Sequence, residues 1–127
     1  MERAVQIFAV VQFLIMGLSH IVRPRAWSEF FLLLRSKGVA GAFANGFLSL
    51  VFGSVVVAFH PVWSGIPLIL TVFGWAQVLK SFLIFVVPGY AEMSLKKAPI
   101  DRPRVFIVPG IILVIIGGLL LYHLIVS

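Results

Sequence analysis

The residues with chemistry to offer are few, and most of them stand inside apolar runs. Lys80 lies in Gly74-Trp-Ala-Gln-Val-Leu-Lys-Ser-Phe-Leu-Ile-Phe-Val-Val-Pro88, a stretch otherwise almost free of polar groups. An ammonium in the middle of an apolar helix costs about 3 kcal/mol on insertion scales, so it calls for a partner or a task. By the three-and-four spacing of a helix, Phe73, Gln77, Lys80, Ser81 and Ile84 share one face. Gln12, Met16, Ser19, His20 and Arg23 share another, and Gly41, Asn45 and Ser49 a third. Amides, an imidazole and an ammonium brought together can hold the polar part of a ligand, and Lys80 would favour an anionic one. The expected ligand-binding set is Lys80, Gln77, Asn45, His20, Ser19 and Gln12, with Glu29 as the nearest possible counter-charge. The competing expectation is that Lys80 snorkels, its stem along lipid and its ammonium reaching headgroups or Glu29.

Other chemistries lack their parts. No aspartate or glutamate falls inside an apolar run, so neither a carboxylate pair nor a Ser-His-Asp arrangement is available there. The chain has no cysteine, which removes thiolate ligands, disulfides and thiol redox chemistry together. His60 and His123 fall near the opposite ends of their runs from His20, where two histidines can in principle ligate a metal or haem. Only Glu2 offers a carboxylate on that side, so both are read as boundary residues beside Trp63 and Tyr122. No catalytic residue, cofactor or metal site is expected.

The elements that must position these groups follow from composition. Of 127 residues, 61% are hydrophobic and only 11% charged, with a mean hydropathy of +1.16. A soluble domain carries about 25% charged residues. The charges are bunched, leaving apolar runs at 4–22, 38–59, 66–87 and 105–126. Each approaches or exceeds the roughly 20 residues that a helix needs to cross a bilayer. Lipid offers the backbone no hydrogen bonds, so such runs are expected to be helical throughout. The fold expected is all-α and integral to the membrane: a four-transmembrane-helix up-down bundle, one domain over residues 1–127. The first run is read as a retained span, because Met1-Glu2-Arg3 is barely cationic and no small-x-small cleavage site follows.

Eight of the ten basic residues fall in two loops. Residues 23–37 carry Arg23, Arg25, Arg35 and Lys37, and residues 88–104 carry Lys96, Lys97, Arg102 and Arg104. The positive-inside rule then makes both loops cytoplasmic and both termini external in a plasma (inner) membrane. Within the first loop, Trp27, Phe30, Phe31 and Leu34 form the apolar stripe of a short helix. That helix either lies in the interface as an amphipathic segment or extends span two. Gly38, Ala42, Gly46 and Gly53 make a small-residue row on span two, expected to be a close helix contact. A faint echo pairs Phe13-Leu-Ile and Arg23-Pro-Arg with Phe82-Leu-Ile and Arg102-Pro-Arg, although the intervals, ten and twenty residues, differ.

The function expected is a non-enzymatic accessory or lipid-binding bundle, partnered by membrane lipid and by copies of itself or a larger membrane complex. A small transporter or channel for an anionic or amphipathic solute, built around Lys80, is the alternative. Neither basic loop offers the extended surface that nucleic acid requires.

Overall fold

The computed structural model describes residues 2–97 and 101–126. Pro99, in the second basic loop, and Ser127 lie outside them. The described residues are helical, with no strand. Four helices are long and apolar enough to span a membrane: α1 (Glu2–Val22), α3 (Val39–Phe59), α4 (Leu68–Val86) and α6 (Ile107–Val126), the last entered through a 3-10 turn at Pro103–Phe106. Two shorter helices, α2 (Pro24–Ser36) and α5 (Tyr90–Lys96), stand in the basic loops. Proline sets most of the breaks. Arg23, His60, Val87 and Arg102 each precede a proline and each leaves helical geometry, with ψ of 56°, 62°, 117° and 74°. The proline ring disfavours the α region in the residue before it, so the helix stops there.

The long helices pack as two antiparallel pairs. Gly17 of α1 faces Gly110 and Val114 of α6, while Gly117 faces Leu14. A Cβ on Gly17 would come within 2.8 Å of the Gly110 carbonyl, so that crossing admits no side chain. In the second pair Gly53 abuts the Gly74 carbonyl and Val78, Gly46 abuts Ile84 and Phe85, and Ala42 is buried. The Ser81 hydroxyl donates to the Gly46 carbonyl at 3.1 Å. In a bilayer no hydrophobic force would drive such helices together, and close contact of this kind would supply cohesion. Gly38 does not belong to the row. Nothing approaches its Cβ position, and its φ of +62° makes it the turn ahead of α3, a backbone state that side chains rarely adopt.

Aromatic rings join one pair to the other. Phe13 of α1 meets Phe73 of α4 edge-on at 4.9 Å and Phe52 of α3 at 5.6 Å, and Phe8 stacks on Phe52 at 5.7 Å. Rings hold the two pairs apart where glycines would let them close. That spacing leaves room between α1, α3 and α4.

Helix α2 is no straight continuation of α3. Lys37 and Gly38 break the chain, and Gly41 then backs directly onto the Leu34 backbone. The stripe of α2 turns to the protein: Trp27 stacks on His20, Phe31 stacks on Phe106, and Leu34 is buried with Ala42 and Ile84. Arg35 reaches across to the Leu95 and Lys96 carbonyls at 3.3 and 2.9 Å, tying α2 to the end of α5.

Candidate ligand cavity

A cavity of about 280 Å³ occupies the space that the aromatic rings hold open. Gln12, Phe13, Met16 and His20 of α1 line one side, and Asn45, Leu48, Ser49 and Phe52 of α3 another. Phe73 and Gln77 of α4 and Leu113 of α6 complete the walls, and Trp27, Phe30 and Phe31 of α2 close one end. These positions follow helical spacing, so the sequence builds the lining one turn at a time.

No described lysine, arginine or carboxylate lines the cavity, and most of its polar groups have no protein partner. Among the described residues, the side-chain amides of Gln12, Asn45 and Gln77 make no hydrogen bond to the protein. Each offers two donors and one acceptor. His20 adds an imidazole. Its Nδ1–H donates to the Met16 carbonyl at 2.7 Å, which leaves Nε2 as the ring nitrogen open to a ligand. The ring lies flat on Trp27, centroids 4.0 Å apart and planes within 14°. Ser19 does not line the cavity; it accepts the Trp27 indole N–H at 2.9 Å and so holds the ring that does.

Four of the six residues singled out in the sequence thus share one cavity, and Ser19 acts on its wall. Lys80 is outside. It follows Gln77 by one turn of α4, is half-buried, and takes no hydrogen bond or ion pair among the described residues. Nor does an ion pair join it to Glu29, which lies on a separate hollow with Arg23, Arg25 and Arg104.

A second polar cluster at the opposite end of the bundle went unseen in the sequence. His60, expected at a wet boundary, is completely buried. The Gln6 amide donates to its Nε2 at 3.0 Å, and its Nδ1–H donates to the Thr71 hydroxyl at 3.0 Å. Thr71 passes its own proton to the Val62 carbonyl at 2.6 Å, which requires this direction of donation. The chain of bonds links α1, the end of α3 and the start of α4. Burial pushes the His60 pKa below its ordinary 6.5, against smaller upward pulls from Glu2 and the His60 backbone. A polar residue early in span one at the same depth as a pre-proline histidine was the only available signal. No group of histidine and carboxylate residues suited to a metal occurs among the described residues.

Comparison with protein-family models, with curated proteins and with solved structures returns no match.

Proposed function

We propose that this chain is a non-enzymatic multi-pass membrane protein that holds one amphipathic, lipid-class molecule between α1, α3 and α4. The observation that carries this reading is the set of three unpartnered carboxamides facing one aromatic-walled cavity. Inside a bilayer an unsatisfied amide costs several kcal/mol, so such groups are expected to find a ligand or water. Ligand sites are mostly apolar with a few convergent polar groups, and this lining has that character. No described lysine, arginine or carboxylate lines it, which favours an uncharged hydrogen-bonding headgroup over the anion that Lys80 had suggested. The transporter alternative would have to draw Lys80 in by a rotation of α4.

In the proposed setting the four long helices run up and down across the membrane, with both basic loops in the cytoplasm and both termini outside. Helix α2 lies at the inner boundary, its stripe on the bundle and Arg25 towards headgroups. Self-association, or docking on a larger complex, would use the lipid-facing exterior, where Ile15 is 63% and Ile125 73% exposed.

The test is extraction of the purified chain and mass spectrometry of whatever it has carried through detergent. Asn45→Leu and Gln77→Leu should each reduce the bound amphiphile about tenfold, the loss of roughly one hydrogen bond. Retention of the same amount by both variants would sink the proposal.

A further inference from the structure

The two Arg-Pro-Arg triplets converge. Arg23-Pro24-Arg25 opens α2 and Arg102-Pro103-Arg104 opens the 3-10 turn ahead of α6. Their first residues adopt nearly the same backbone, φ −127°, ψ 56° at Arg23 and φ −128°, ψ 74° at Arg102. Each is forced out of the helix by the proline that follows. The stacking of Phe31 on Phe106 at 5.4 Å then fixes one segment beside the other. Between them lies a hollow of about 580 Å³, whose wall includes Arg23, Arg25, Arg104, Pro103 and Glu29. Among the described residues none of the three guanidiniums has a hydrogen-bond or ion-pair partner. Glu29 is the one carboxylate on the wall, so the hollow keeps a net charge of +2 (three arginines less one glutamate).

We propose that this hollow, which shares no lining residue with the ligand cavity, is a phosphate-group site in which Arg23, Arg25 and Arg104 clamp a phosphate monoester or diester. Guanidiniums present planar forks that match phosphate oxygens, which makes arginine the fitting residue for such recognition. Three of them unpaired around one space are a poor arrangement for stability alone, because like charges repel. An apolar path leads away from the clamp. A second hollow, of about 270 Å³, shares Arg23 and Ala26 with the first and continues along Trp27 and Phe30. A phosphate at the arginines with an acyl chain laid on Trp27 and Phe30 fills both, so a phospholipid is the expected source. Free phosphate has the same headgroup chemistry without the chain.

The experiment titrates the full chain, in uncharged maltoside micelles, with phosphatidic acid, with oleate and with inorganic phosphate, reading bound species by native mass spectrometry. Phosphatidic acid should bind saturably, and oleate, anionic but without phosphate, weakly. Arg23→Gln and Arg104→Gln should each weaken binding about tenfold, the equivalent of one charge-assisted hydrogen bond. Arg104→Lys keeps the charge and is expected to fold as the wild type does, yet should lose several-fold for want of a fork. Glu29→Gln should strengthen binding. Lys97→Gln removes the same charge outside the hollow and should change nothing. Competition by inorganic phosphate would support the site with a soluble occupant, and its failure to compete would support the lipid. Equal weakening by Lys97→Gln and Arg104→Gln, or binding of oleate as tight as that of phosphatidic acid, would overturn the proposal, since either reduces the clamp to diffuse charge.

Discussion

Lys80 and His60 are both polar groups withdrawn from water, and they differ in what surrounds them. Lys80 has desolvation without a partner. Replacing it by methionine keeps the stem volume and removes a charge that nothing in the protein compensates. Lys80→Met should therefore melt at or above the wild-type temperature, and it should bind the cavity ligand as before. A loss of both stability and ligand would mean that the ammonium enters the cavity in the bound state. His60 has partners at both nitrogens, so its neutral form is the one the fold selects. Its folded pKa is depressed below 6.5, so the unfolded chain binds more protons between the folded value and 6.5. In that window stability rises with pH: the contribution is complete above about 6.5 and is lost as pH falls through the folded value. Thermal midpoints taken from about pH 8 down to pH 5 should decline, and His60→Asn should flatten the decline. Thr71→Val would strand the Nδ1–H and should cost about 1–3 kcal/mol.

The glycines on the long helices divide by what faces them. Gly117 and Gly118 are neighbours in α6, yet a Cβ at Gly117 would press on Leu14 at 3.0 Å while one at Gly118 meets nothing. Gly118→Ala should be neutral or stabilising by about 0.5–1 kcal/mol, the ordinary helix preference for alanine. Gly17→Leu and Gly46→Leu force apart α1–α6 and α3–α4 respectively and should each cost at least about 1–3 kcal/mol. Thermal stability in detergent measures all three. Because the Gly46 contact is with Ile84 and Phe85 of the same chain, its loss should appear as unfolding before any change in oligomer size. Helix α2 depends on Trp27 and Phe31 rather than on caps; no side chain caps its first turn. Phe31→Ala should loosen both α2 and the 3-10 turn, and with them the end wall of the cavity.

Seen whole, the molecule has two unlike poles. The ends of α1 and α4 and the beginnings of α3 and α6 meet around α2 and α5 at one pole, which gathers eight of the ten basic residues. The Gln6–His60–Thr71 network closes the other, where Glu2 stands. If the positive-inside rule governs insertion, a tag placed after the last residue should be reachable from outside intact cells. A cysteine introduced near Lys96 should be protected there from impermeant reagent. Labelling of that cysteine in sealed cells would reverse the orientation and put the arginine hollow outside.

The length and polarity of the apolar runs were enough to determine four helices and their limits, because a bilayer-length run leaves its backbone no other way to be satisfied. Helical spacing also grouped Gln12 with His20, and put Asn45 and Gln77 on stripes of their own, since a side chain's face is fixed by its position within one helix. Spacing says nothing about which faces meet. Only the packing of the pairs placed Gln12, His20, Asn45 and Gln77 around one cavity and left Lys80, one turn from Gln77, outside it. Likewise Gly38 and Gly46 look alike in a row of small residues, and the fold alone makes one a turn and the other a contact. His60 reads as a boundary residue until Gln6 and Thr71, 54 and 11 residues away, are brought to its two nitrogens. Local periodicity is written in each segment, whereas the partners of a buried polar group come from segments distant in the chain, and tertiary structure decides them.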